Sequence, residues 1–247
     1  MHPTLPVIYV SESDRAATPA DQVSVFSYTP DGVLTHVETR TTEDEIRGIA
    51  ITPDGSALLT THIFSVTPTV AVYSIGATGS LSLSPVDSDA PAGASRIDDV
   101  FVDSSGSRVF VKDLDEGIYE YVLSGGILTA LNGGVPYAGG LFNVDAVTVP
   151  GALVVLSLSA APSSPVDFRV FPITATGLGP PTLLSVADDL QHLAVTGDGT
   201  TLFASARTGD RVRSFTIAGG SLTENAGSPF AIPVSPTENV GNLVVSD

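Results

Sequence analysis

Apolar and polar residues alternate along the chain in short runs, and each run stops at a cluster of Gly, Pro, Asp or Ser. The clearest stretch is QHLAVTGDGTTLFASARTGDRVRSFTIAGGSLT, residues Gln191 to Thr223. Leu193–Val195 leads to the turn Gly197-Asp198-Gly199, Leu202–Ala204 to a polar loop, and Val212–Ile217 to Gly219-Gly220. A period of two marks a half-buried strand. Asp-Gly and Gly-Gly supply the positive φ angles that tight hairpin loops require. The stretch predicts a four-stranded antiparallel unit in miniature.

The same unit recurs. Residues from Arg47 read GIAITPDG, ALLTTHI, TVAVYSIG and, after Gly79, LSLSPVD. From Asp98 they read DVFVDSSG, RVFVKDL, GIYEYVLS and, after Gly125-Gly126, ILTAL; from Asp145, AVTVPG, LVVLSLS, VDFRVFPI and TLLSVAD. Units begin at Arg47, Asp98, Asp145, Gln191 and Gly241, about 50 residues apart, which is the size of one propeller blade. The chain opens in the phase of a second strand, with VIYVSES, QVSVFSYT and LTHVETR, and ends on NLVVSD, which has the phase of a first strand. Residues 1–247 therefore predict one all-β domain, a five-bladed β-propeller with four antiparallel strands per blade. Its ring is expected to close by pairing the C-terminal strand, Leu243 to Val245, with the N-terminal strands, leaving no open edge.

Composition narrows the function classes. Apolar residues make up 43% and charged residues 15%, with 24 Gly and 18 Pro, as expected of a turn-rich β protein. Acidic residues outnumber basic ones 27 to 10, for a net charge of −17, and Lys112 is the only lysine. Such a field repels phosphate backbones, so no nucleic-acid partner is expected, while cationic partners and metal ions are favoured. With no cysteine there is no disulfide framework and no thiolate chemistry. The N-terminus runs directly into a strand with no signal-peptide pattern, and the longest apolar stretch, Gly151 to Ala161, is too short for a membrane helix. A soluble monomer is the expectation.

Because strands alternate in direction, residues entering each first strand and leaving each second strand share one end. Strand entries place Arg47, Asp98, Asp145 and Gln191-His192 there, with Asn242 at the last; strand exits add Glu12, His62, Asp113, Leu158 and Ala206, and the next loop Arg207. The opposite end carries plain turns such as Pro53-Asp54-Gly55 and Gly197-Asp198-Gly199. Function is thus expected at the first end, with Glu12, His62, Gln191 and Asn242 as ligand contacts. Asp98, Asp113 and Asp145 are the candidate ligands for a calcium ion. No zincin, nucleophile-elbow, P-loop or dinucleotide motif occurs.

Strand, Pro-Asp-Gly-like turn, strand, a V-x-V-[FY] strand and G-x-L-T together resemble the lactonase-family propellers that include 6-phosphogluconolactonase and fungal muconate cycloisomerase. ITPDGSALLT, VDSSGSRVFVKDL, TGDGTTLFASARTGDRVRSFTI and ENAGSPFAI carry the likeness over essentially the whole chain. The family has seven blades against five here. Its Arg-His before a first strand reads Gln191-His192, and its Asn-Glu after the next strand reads Ala206-Arg207. The resemblance implies a lactonase-type hydrolase, with Arg47 or Arg207 holding an anionic substrate or its oxyanion and His192 activating water. The other reading is a binding or scaffold module that uses the same mouth for a small ligand, a metal ion or a cationic segment.

Overall fold

The computed structural model describes residues 1–12, 21–42, 45–63, 68–137, 142–158, 166–186, 188, 190–206, 211–232 and 245. They form two compact units, Met1–Gly139 and Gly140–Asp247. All described sheets are antiparallel and none is closed.

The first unit holds three sheets. Sheet one is β1 (Val7–Glu12), β2 (Gln22–Tyr28) and β3 (Leu34–Thr41). Sheet two is β4 (Ile46–Ile51), β5 (Ala57–His62), β6 (Thr69–Ser74) and β7 (Asp87–Asp89). Sheet three is β8 (Ile97–Val102), β9 (Arg108–Asp113), β10 (Gly117–Ser124) and β11 (Ile127–Ala130).

Period-two alternation lets sheet two bury both faces. Leu58, Ala71 and Tyr73 pack with Val7, Val23 and Val25 of sheet one, while Leu59, Val70 and Val72 pack with Val109, Val111 and Tyr121 of sheet three. Each such side chain, fully withdrawn from water, stabilises the fold by about 1.5–3 kcal/mol.

The second unit holds two sheets. Sheet four is β12 (Phe142–Val149), β13 (Ala152–Leu158) and β14 (Val166–Thr174), with β15 (Gly177–Leu178) and β16 (Thr182–Val186) both pairing with β14. Sheet five is β17 (Leu190–Val195), β18 (Thr201–Ala206), β19 (Arg211–Ala218) and β20 (Ser221–Glu224), with β21 (Phe230–Ala231) also on β19. Their shared core includes Val154, Phe168, Val170, Leu202, Ala204 and Phe215. Phe168 and Phe215 meet edge to face at 4.9 Å, a favoured aromatic geometry.

Two details depart from the pattern read off the sequence. The outer strand of sheet two is Asp87–Asp89 rather than the run beginning at Leu81, because the preceding stretch contributes only an Ile75↔Leu81 bridge. Each first strand of sheets two to five carries one extra residue near its start: register slips between Ile46/Ile49, Ile97/Asp99, Asn143/Asp145 and Leu190/His192. A bulge re-aims the side chains beside it. Compared through these registers, Asp145 is the equivalent of Asp99, not Asp98, and Ser157, not Leu158, is the exit residue matching Asp113. The predicted closing strand, Leu243 to Val245, falls outside the described residues apart from Val245.

The hairpin turns follow one plan. In 52–57, 103–108 and 196–201 the first residue's N–H donates to the last residue's carbonyl, and its own carbonyl accepts from the glycine at the fourth position. Those glycines, Gly55, Gly106 and Gly199, have φ of +71°, +76° and +69°, a region that disfavours other residues. Each also faces a residue from the preceding part of the chain. A Cβ would lie 2.4 Å from the His2 ring at Gly55, 3.3 Å from Pro53 at Gly106 and 2.4 Å from Pro150 at Gly199.

Candidate functional site

In the first unit, the bulges gather charge where β4 and β8 begin. Asp98 is the extra residue of β8, and its Oδ2 lies 2.8 Å from Nζ of Lys112. Its Oδ1 lies 3.8 Å from Nε of Arg47, whose Nη1 is 3.9 Å from Oε1 of Glu45. Lys112 is buried on β9, whereas the Arg47 side chain is 32% exposed. Asp98 thus bridges two cations. Both contacts of Arg47 are too long to be hydrogen bonds, so its planar fork of donors is not consumed by them. Gly48 allows the close approach of sheets two and three, since a Cβ there would sit 2.7 Å from Cα of Asp99. Its N–H donates to Oγ1 of Thr61 at 2.8 Å.

Most of the other predicted carboxylates serve the backbone. Asp113 is fully buried, and its Oδ2 accepts from the N–H groups of Ser95 and Arg96, both at 2.8 Å. Its Oδ1 accepts from those of Asp115 at 2.8 Å and Glu116 at 3.0 Å. Four amide donors fill a carboxylate's acceptor sites, so Asp113 ties the end of β9 to the entry of β8. Asp145 works likewise in the second unit, accepting from Ala146 N–H at 2.8 Å and, across to sheet five, from Leu193 N–H at 2.7 Å. Glu12 accepts from the Ser24 hydroxyl at 2.8 Å. His62 is buried with Nε2 2.9 Å from Oγ1 of Thr60. Among the described residues no group of three or more His, Cys, Asp or Glu side chains is placed to hold a metal ion.

The structure brings Arg47 and Asp98 together. Gln191 is the extra residue of β17, and half-buried His192 follows it opposite Ser205. Both lie in the second unit, while Arg207 and Asn242 lie outside the described residues. Sequence reasoning passed over Lys112 and Glu45. The signal for Lys112 was present: the chain's single lysine occupies an alternating position in the apolar strand RVFVKD.

The opposite end of the first unit is not plain. Between sheets two and three, a cleft of about 390 Å³ opens among the turns around Asp54, Ser105 and Gly126. A smaller one of about 190 Å³, lined by Met1, Tyr9, Ile49, Ala50, Ile51 and Leu58, lies between sheets one and two. Burial, then the nearby Glu38 charge, pushes the Tyr9 phenol up to about 12, and its hydroxyl donates to the Gly79 carbonyl at 2.8 Å.

No family model and no curated protein matches the sequence. Solved structures do match. One is a provisionally named 6-phosphogluconolactonase from Bacteroides uniformis, with TM-score 0.69 at 16% identity over 89% of this chain and 67% of that one. Another, provisionally named the same from Bacteroides fragilis, gives TM-score 0.53 at 12% identity over 92% and 82%. A third is Sqt1 from Chaetomium thermophilum, bound to the N-terminus of ribosomal protein L10, with TM-score 0.62 at 18% identity over 88% and 57%. The chain spans about two thirds or less of the length of the first and third. At these identities what is shared is architecture, and the chain has an all-β, propeller-like fold of the kind that lactonase-like proteins use.

Proposed function

We propose that this is a lactonase-like propeller that takes a small anionic ligand, a sugar acid or its lactone, at the end where its first strands begin. The observation that carries the reading is Arg47. It is a partly exposed guanidinium in an acidic chain, held at 3.8 and 3.9 Å by two carboxylates and beside the buried Lys112 pair. A carboxylate can meet such a group through two parallel hydrogen bonds. In hydrolysis, Arg47 stabilises the lactone carbonyl oxygen as it gains charge. His192 takes a proton from water as that water attacks the carbonyl carbon. The ring C–O bond then breaks, the proton passes to the leaving oxygen, and a hydroxy acid remains. Ring closure of five blades through residues 243–245 is part of this proposal. Deleting residues 241–247 tests it, and a sharp, fully stable monomer after deletion rejects closure.

A second reading is a non-catalytic binding module for a cationic segment. The structural commitment of Asp113, Asp145 and Glu12 favours its non-catalytic part alone, because it leaves few carboxylates for acid–base work. The net charge of −17 and the peptide-bound state of Sqt1 add to it.

The deciding experiment is turnover of sugar lactones, phosphosugar lactones and muconolactone by wild type, Arg47→Ala and His192→Ala. Enzymatic action predicts a loss of about 10²–10⁴-fold in turnover for His192→Ala with folding intact, and a raised KM for Arg47→Ala. Saturable gluconate binding without turnover leaves an anion-binding module. Neither binding nor turnover removes the reading.

A further inference from the structure

The 390 Å³ cleft at the turn end of the first unit falls within the size range of small-molecule sites. Its walls come from two neighbouring sheets. The 52–57 turn and Ser74 stand on one side, and Ser105, Gly106 and the Gly125-Gly126 turn on the other. Glycine keeps the walls near each other, since a Cβ on Gly126 would come within 3.2 Å of Val86 and one on Gly106 within 3.3 Å of Pro53. The apolar part of the lining comes from Ala57, Val86 and Leu123.

The polar groups differ in how far they are used. Oδ1 of Asp54 accepts all three bonds of its turn, from the Thr52 hydroxyl at 2.6 Å, the Ser56 N–H at 2.9 Å and the Ser56 hydroxyl at 2.8 Å. Among the described residues nothing bonds Oδ2 of Asp54 or the hydroxyl of Ser74. The Ser105 hydroxyl is engaged by Asp103 at 2.6 Å. No basic side chain lines the cleft.

We propose that this cleft binds a neutral sugar, with Oδ2 of Asp54 accepting from two adjacent ligand hydroxyls and the apolar lining of Ala57, Val86 and Leu123 meeting the C–H face of the ring. One ionised acceptor and a neutral hydroxyl in the same lining suit a polyol, whose groups both donate and accept. Absence of a cation combined with a fixed carboxylate excludes anions, including the ligand class proposed for the other end. The two sites are therefore separable by ligand charge.

The test is an amide-resolved NMR titration of the full chain with D-glucose, D-galactose and D-mannose, with gluconate and putrescine as charged probes. Saturable shifts from at least one hexose are expected at the amides of residues 54–57, 105–106 and 125–126, with gluconate leaving those amides unmoved. Val86→Trp, at a partly exposed wall position, should fill the cleft and abolish the shifts. Asp54→Asn, which keeps the Oδ1 acceptor of the turn, should weaken binding at least tenfold. The site is overturned if no neutral sugar gives saturable shifts, if Val86→Trp leaves them undiminished, or if putrescine alone moves these amides.

Discussion

The two ends of the first unit invert what a residue count suggests. Where the first strands begin, the chain concentrates Arg47, Asp98, Lys112 and Asp113, yet Asp113 is wholly occupied by four backbone amides and Lys112 by at least Asp98. Where the hairpins turn, side chains are small and mostly neutral, yet a cleft opens and one oxygen of Asp54 takes no part in its own turn. Density of charge and availability of charge are separate properties. Burial and hydrogen bonding decide the second.

Breaking the charged end at its most committed residue should have the largest effect. Asp113→Ala leaves four amide donors without their acceptor in a buried place, and a loss of about 3–5 kcal/mol is expected from urea denaturation. A loss below 1 kcal/mol would show that water replaces the carboxylate and that the residue is available after all. Calcium and chelator melts of wild type should superimpose, since the same four bonds occupy the carboxylate that a metal would use.

Gly48→Ala comes next, with about 1–3 kcal/mol expected, because its Cβ meets backbone of the neighbouring sheet at 2.7 Å. At the turn end Gly106→Ala should cost about 1–2 kcal/mol, chiefly through its positive φ, as the Pro53 contact of 3.3 Å is mild. A Gly106 cost well above this range would show that the Pro53 contact, and not φ alone, constrains the turn end.

A smaller effect belongs to acid. The Thr52 hydroxyl, then the Ser56 amide and hydroxyl, hold the Asp54 carboxyl below its ordinary 3.8. A lowered folded pKa means stabilisation that is present above the unfolded value and lost as pH falls through the folded one. Wild type should therefore lose ground to Asp54→Asn as pH drops from about 4 toward 2, as read by urea midpoints at each pH; parallel curves would show that the turn does not depend on the charge. Least of all, Arg47→Ala should change stability by about 0.5 kcal/mol or less, because its ion pairs are long and partly exposed.

Strands and turns were legible because period-two alternation and Asp-Gly punctuation are local signals. Val109, Val111 and Tyr119 lie in the core where the pattern puts them. The bulges were not legible, since a single extra residue leaves alternation readable on both sides of it. With a matching bulge in both strands, Asp145 falls in phase with Asp99 and not with Asp98. For the site, the sequence put Arg47 and Asp98 at one end, where they do meet, but it does not distinguish a carboxylate saturated by amides from one facing solvent. Asp113-Leu114-Asp115-Glu116-Gly117 looks the same in either case, because the donors from Ser95 and Arg96 come from far back in the chain. The cleft was hidden for the opposite reason: Ser, Gly and Asp at turns are what any hairpin demands.

The turn glycines also give the repeats a polarity. Sheet two offers Pro53 forward to Gly106 and receives His2 and Pro3 on Gly55; in the other unit Pro150 is offered to Gly199. Sheet two therefore has a wedge on one flank and a notch on the other. Copies can be concatenated head to tail with the joint preserved, but two like flanks bring wedge to wedge or notch to notch. Growth of such an array by duplication is thus directional, and a grafted repeat must carry both the Pro of one flank and the Gly of the other to keep its neighbours seated.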